Sequence, residues 1–396
     1  MKSMETNATL SADTSKNVKQ TTSKQLIAII FILALATKMF LQPLFLIKSA
    51  GRDAYIALAV DGGFDILVLV ITLIAMKLSP DRDFFELTRC VFGKVGSRII
   101  VCFFGLYLFF KLNVAVSETV AFYSKNILTD LDTTLLILIL LIFLVGVALH
   151  SLRALTRLNE LLTPVIITCL LVLIAIVAAT GFDLSNIFPS MRNPRDFGVT
   201  LSRHMTWLGD FSPLLLFLGR TELKKSTVPF CVGAGTVGTG ISVFFSIVMC
   251  AAFGNVTTLV DASTNLSSIL QYSLGNVYGR IDLVSEILWS VASFIQNSLF
   301  FYCAVRCFEY VIGKPFHLVT SLVTGALLFT ALSLVFNEPK LLAVLIVNEI
   351  TSGFIIGFTV AVPVIALISA AIVKKRDKNN DDNKSKALPG AVRSTE

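Results

Sequence analysis

Apolar runs of 18 or more residues recur ten times along this chain, at about 26–46, 54–76, 99–123, 132–150, 161–181, 199–219, 228–253, 282–305, 317–337 and 341–373. A helix needs about 20 apolar residues to cross the hydrocarbon layer of a bilayer, and in that layer every backbone donor and acceptor must be satisfied within the chain. The expectation is therefore an all-α polytopic membrane protein of about ten transmembrane helices. At 55% hydrophobic and 15% charged residues, with a mean hydropathy of +0.80, the 396-residue chain is too apolar for a soluble globular fold.

The three regions read as a polar N-terminal tail (1–25), a ten-helix membrane domain (26–373) and a disordered tail (374–396) whose Lys, Asp, Asn and Ser leave little to bury. The first 25 residues lack the apolar core and cleavage pattern of a signal peptide, so the first span is expected to be retained. With the N-terminus inside, 23 of the 33 Lys and Arg fall on the inner side and 8 on the outer, counting Arg203 at the start of span 6 with the outer loop before it; Lys38 and Lys111 lie deeper within spans. Both termini are therefore predicted cytoplasmic. The basic residues are spread over loops rather than clustered with aromatics, so the net charge of +7 reflects topology and a lipid bilayer rather than a nucleic-acid partner.

Two spans are interrupted. The first carries Thr37-Lys38 and then Gln42-Pro43 near its middle, and the sixth carries Trp207-Leu208-Gly209-Asp210-Phe211-Ser212-Pro213. A charge at the bilayer centre costs about 2.5–3.5 kcal/mol on insertion scales, so Lys38 needs a partner, a cavity or a function. Broken spans at corresponding places in two halves point to a site at the membrane midplane. The ten spans thus read as a five-plus-five inverted repeat whose first and sixth helices are broken and form the site.

Several stretches match a known family. Leu46-Ile47-Lys48-Ser49-Ala50-Gly51-Arg52-Asp53-Ala54-Tyr55 leads into the second span, and Phe92-Gly93-Lys94 precedes a third span containing Tyr107. Arg153-Ala154-Leu155-Thr156-Arg157-Leu158-Asn159-Glu160 comes shortly before Pro164. The chain resembles the B subunit of endospore germinant receptors, a branch of the amino acid-polyamine-organocation transporter superfamily, over about residues 25–165 and by span pattern beyond. The resemblance implies the ten-helix inverted-repeat fold, a small nutrient ligand such as an amino acid, and A-type and C-type partner subunits in the inner membrane of a bacterial spore. In one respect the chain departs from that superfamily: Ala34-Leu35-Ala36-Thr37-Lys38-Met39 has no glycine where such transporters use a Gly-x-Gly break to grip a carboxylate.

Lys38 and Asp61 lie at similar depths in consecutive spans, which makes an ion pair between them the first expectation. Asp65, one turn from Asp61 on the same face, is the second candidate partner. Lys38 then either occupies the place where related transporters hold a cation or ties two helices together statically. Thr37, Lys38 and Phe40 at the first break and Trp207, Gly209 and Asp210 at the second are candidate ligand contacts. Trp207 and Asp210 have a second reading, as an interfacial aromatic and a local cap. Asn113 and Ser117 in span 3 share a face, as do Lys111 and Glu118, the latter pair reading equally as a polar seam. In span 8, Glu286, Ser290 and Ser293 share a face, and the two serines complete the candidate site.

No catalytic constellation, phosphate-binding glycine loop or cofactor motif is present in the sequence. His150, His204 and His317 each lack a carboxylate or cysteine at ligand spacing, and the seven cysteines read as small hydrophobes in or beside the spans. The function read from the sequence is non-enzymatic, a nutrient-sensing membrane subunit. A proton-coupled amino acid or amine transporter is the alternative, and a structural subunit with a vestigial pocket the third reading.

Overall fold

Thr22 opens the first helix with a reciprocal cap: its side chain accepts from the Gln25 amide at 3.3 Å, and its own amide donates to Gln25 Oε1 at 3.0 Å. In the computed structural model, residues 19–36, 38, 41–128, 130–180, 194–224, 226–253, 282–313, 316–338 and 348–386 are described. Helix α1 runs Ser23–Leu35 and α2 Leu41–Ala50, and Lys38 stands in the break between them. Pro43 falls in the first turn of α2, where amides have no intrahelical acceptor, so it starts a helix rather than distorting one.

A 3-10 turn, Gly51–Asp53, leads to α3, Ala54–Leu78. Helix α4, Phe84–Asn126, contains an elbow at Gly93, whose φ of 71° suits glycine alone; the Phe92-Gly93-Lys94 stretch joins a short helix to the third span. Helix α5, Thr133–Ala148, is capped by Asp132, whose Oδ1 accepts from the Thr134 and Leu135 amides. Donation from Leu135 and Thr134 holds the Asp132 carboxyl below its usual range. Helix α6, Leu152–Thr180, carries Pro164 internally.

The sixth span is α7, Pro194–His204, then the 3-10 turn Met205–Trp207, an unwound Leu208 to Phe211, and a 3-10 turn Ser212–Phe217. Among the described residues four further helices follow: α8, Thr227–Phe253; α9, Asp282–Ile312; α10, His317–Asn337; and α11, Glu349–Lys386. Among the described residues, seven helices are long and apolar enough to cross a membrane, and the shorter α1 and α5 are also apolar. Large apolar side chains such as Leu67, Ile142 and Leu171 are more than 60% exposed, as expected of surfaces that meet lipid. The chain is an integral, multi-pass membrane protein.

Helix α9 packs along α4, α1 lies against α8 and α6, and α3 lies against α8 and α11. The approach of α3 to α8 depends on Gly62, because a Cβ there would overlap the Thr239 methyl. Gly62→Ala is expected to lower the thermal stability of the detergent-solubilised protein, and Thr239→Ser in the same chain, lacking that methyl, to restore most of it. Equal melting temperatures for the single and double variants would show that these helices separate freely.

Within the N-terminal segment, Thr21 forms a parallel bridge with Thr221, and the Gln20 amide donates to the Arg220 carbonyl at 2.8 Å. Helix α11 continues to Lys386, past the expected boundary at 374, since no Gly or Pro interrupts the polar stretch before Pro389. His317 has a carboxylate partner after all, with Nδ1 2.8 Å from Glu309 Oε1 and Nε2 2.7 Å from the Ala148 carbonyl; the turn between α9 and α10 makes these neighbours. All seven cysteines are free; Cys231, Cys250, Cys303 and Cys307 are buried, but Cys90 is exposed.

One end of the molecule gathers segments distant in sequence. Lys19 Nζ reaches the Gly219 carbonyl at 3.1 Å and Asp81 at 3.2 Å, and Arg220 reaches Asp83 at 3.3 Å. Arg82 pairs with Asp377 at 3.0 Å, and Arg153 donates to the Lys19 carbonyl at 3.4 Å. These loops and the start and end of the chain are the ones the charge count assigns to a common side.

Candidate functional site

A hairpin of α2 and α3 brings the first set of polar groups together. Lys38 and Gln42 lie four residues apart at the first break, and Asp65 and Asp61 lie four apart on α3, which runs the opposite way. Lys38 Nζ hydrogen-bonds Asp65 Oδ2, and Gln42 Nε2 donates to Asp61 Oδ2 at 2.8 Å. All four side chains are fully buried. The first-choice Lys38–Asp61 pair is thus replaced by Lys38–Asp65, one turn along. Depth counting treated the first span as a continuous helix and did not give Gln42 a partner.

Asp65 also binds the second break, because its Oδ1 accepts from the Gly209 amide at 2.8 Å. That amide is available because the backbone is unwound here, with Gly209 at φ 88°. A Cβ at Gly209 would overlap the Tyr107 hydroxyl and come within 2.5 Å of Thr359 Oγ1. The next residue, Asp210, lies between two lysines, 3.7 Å from Lys38 Nζ and 3.1 Å from Lys111 Nζ. Gln296 Nε2 of α9 stands 3.4 Å from the same carboxylate, and Lys38 lies 6.0 Å from the Phe211 ring centre.

Helix α4 meets the second break along a single face, since residues four and seven apart come round to the same side. The Tyr107 hydroxyl bonds Ser212 Oγ at 2.9 Å and Thr359 Oγ1 at 2.8 Å. Lys111 takes Asp210, and Glu118 Oε1 accepts from Trp207 Nε1 at 2.6 Å. Trp207 is buried and packs 5.5 Å from Phe45 of α2, so it is not an interfacial belt residue. Lys111 and Glu118 are one seam, and it runs to the second break rather than along their own helix.

Of the remaining candidates, Asn113 and Ser117 are buried but lie roughly on the opposite side of α4 from Lys111 and Glu118. Ser293 is buried one turn from Gln296 and Asn297, the latter donating to Thr119 at 2.9 Å. Ser290 lines a separate apolar cavity with Tyr123 and Phe294. Thr37 and Phe40 lie outside the described residues, and Glu286 is buried in α9. Gln42, Gln296, Tyr107 and Thr359 are not among the candidate site residues of the sequence. Only Gln42 carried a local signal, its four-residue spacing from Lys38 matching that of Asp61 and Asp65.

The electrostatics follow from this inventory. Lys38 and Lys111 face four carboxylates, Asp61, Asp65, Asp210 and Glu118, within a region closed to outside water. Buried charges persist only when paired and hydrogen-bonded. Among the described residues the carboxylates of this network outnumber its lysines by two.

A family model described as spore germination protein matches residues 20–340. The chain belongs to the spore germination protein family. No curated protein sequence matches it. The fold of this spore germination protein is similar to that of MHP1, a nucleobase-cation-symport-1 family transporter solved in a closed conformation with bromovinylhydantoin bound. That match has 14% identity and a TM-score of 0.58, and covers 89% of this chain and 91% of that one. It is similar also to MhsT in complex with L-phenylalanine, with 10% identity and a TM-score of 0.60 over 88% and 95% of the two chains. At these identities the likeness is one of fold.

Proposed function

We infer that this spore germination protein is the nutrient-sensing, transporter-like membrane subunit of a germinant receptor. In this reading its ten spans form two inverted halves of five, both termini are cytoplasmic in the inner spore membrane, and A-type and C-type subunits read its state. The observation that carries the inference is the joining of the two helix breaks through Asp65, which holds Lys38 of the first and the Gly209 amide of the second. A small amino acid or amine bound between α2, α4, the second break and α9 would compete for these same groups. Its amine would meet Asp210 or Asp65, and its apolar part would meet Trp207 and Phe211. Ligand then favours whichever arrangement of the two breaks it binds more tightly, and only that difference in affinity shifts the population.

Lys38 acts in this scheme as a tethered cation, in the position that a coupling ion would otherwise fill. Ligand occupancy can therefore be signalled without net ion flow. The second reading, a proton-coupled amino acid or amine transporter, is favoured by the excess of carboxylates over lysines, since protons can neutralise them reversibly.

Uptake of labelled amino acids by proteoliposomes containing this chain alone separates the two. The sensor reading expects ligand-dependent thermal stabilisation without saturable uptake. Robust uptake driven by an inward proton gradient would replace it with the transporter reading, and neither response would leave a vestigial pocket.

A further inference from the structure

The end of the molecule where Lys19, Arg82, Arg220 and Asp377 make their contacts contains a cavity of about 490 Å³, away from the buried network. Five cations line it: Arg89, Lys94 and Arg98 of α4, Arg220 after the second break, and Arg306 of α9. The carboxylate in its wall, Glu309, is already engaged by Arg306 at 2.9 Å and by His317. Arg220 is engaged by Asp83 at 3.3 Å. Among the described residues no carboxylate pairs with Arg89, Lys94 or Arg98, so the cavity presents positive charge that its own wall does not neutralise.

The cavity wall is built from fixed parts. Phe85 and Tyr310 stack at 4.7 Å, and the Tyr310 hydroxyl bonds Ser97 at 2.7 Å, which in turn bonds Thr88 at 3.0 Å. The Arg98 guanidinium lies over Gly313, where a Cβ would stand 2.8 Å from it. The cations are thus placed by the Gly93 elbow and by the packing of α4 on α9, not scattered on free loops.

The surroundings identify the chemistry of the occupant. Val95 and Ile99, next to Lys94 and Arg98, are 72% and 53% exposed, and Ile312, beside Gly313, is 57% exposed. In a membrane protein such side chains meet acyl chains, and cations at the ends of long apolar helices stand at headgroup depth. We propose that this cavity is a binding site for the phosphate headgroup of an anionic phospholipid, whose acyl chains lie along Val95, Ile99 and Ile312. The guanidinium groups bond the phosphate oxygens in forked geometry, and Lys94 supplies a point charge.

The test is lipid retention by the purified full chain in native mass spectrometry. The probes are phosphatidylglycerol and phosphatidylcholine of matched acyl chains, with inorganic phosphate as the soluble alternative. Wild type is expected to retain phosphatidylglycerol saturably, about tenfold in preference to phosphatidylcholine, and R89Q/K94Q/R98Q to lose most of that preference. K374Q/K375Q/K378Q, which removes equal charge from exposed positions of α11, is expected to keep it. Should the first triple variant lack a thermal transition, R98Q alone makes the comparison. Equal preference in wild type and R98Q or the triple variant would overturn the site. Equal loss in both triple variants would reduce the effect to bulk charge and also overturn it. Saturation by inorganic phosphate with no selectivity among lipids would overturn the lipid assignment in favour of a soluble anion.

Discussion

Replacing Lys38 with methionine is expected to destabilise the purified protein by about 3–5 kcal/mol, the range seen when one member of a buried ion pair is removed. The loss follows from what remains. Asp65 would keep the Gly209 amide but lose its charged partner, and Asp210 would keep Lys111 and Gln296. Neither carboxylate can reach outside water, because both are fully buried. Removing the uncompensated charge should therefore rescue folding: K38M/D65N is expected to melt close to wild type while giving no germination response in spores carrying it. K38M/D61N is expected to remain as unstable as K38M, since Asp61 is held by Gln42 rather than by Lys38. Thermal unfolding in detergent decides the matter, and rescue by D61N as strong as by D65N would refute the pairing of Lys38 with Asp65 and Gln42 with Asp61.

Gly209→Ala should be nearly as severe, and for a different reason. The residue sits at φ 88°, where a side chain costs about 1–2 kcal/mol before any contact is counted. The added methyl would also overlap the Tyr107 hydroxyl and press on Thr359, displacing the amide that Asp65 accepts from. The expected result is loss of stability and of any nutrient response together. Tyr107→Phe in the same chain relieves the larger overlap and should recover part of the stability, leaving the φ penalty and the Thr359 contact. A G209A protein that melts and responds like wild type would mean that the second break is loosely packed and cannot position a ligand.

Much of this architecture could be read along the chain because membrane spans announce themselves in hydropathy. The broken first and sixth spans were legible from Lys38, Pro43 and the Gly209-to-Pro213 stretch. The partner of Lys38 was off by one turn, since a depth count cannot see that α1 ends at Leu35 and α2 begins afresh at Leu41. Asn113 and Ser117 looked equal to Lys111 and Glu118 on a helical wheel; only the packing of α4 decides which face meets the second break. Gln296 and Thr359 come from helices far along the sequence and carry no local mark of their role. The basic cavity was hidden for the same reason, its cations coming from α4, the segment after the second break and α9, which are far apart along the chain.

The bridge between Thr21 and Thr221 ties the entrance of the first broken span to the exit of the sixth. Around it, the Gln20 amide donates to the Arg220 carbonyl, the Glu222 amide to the Thr21 carbonyl, and Ser23 Oγ to the Glu222 carbonyl at 2.6 Å. Residues 19–23 thus clasp the two broken spans together at one end, so that separating the spans there requires these backbone hydrogen bonds to break.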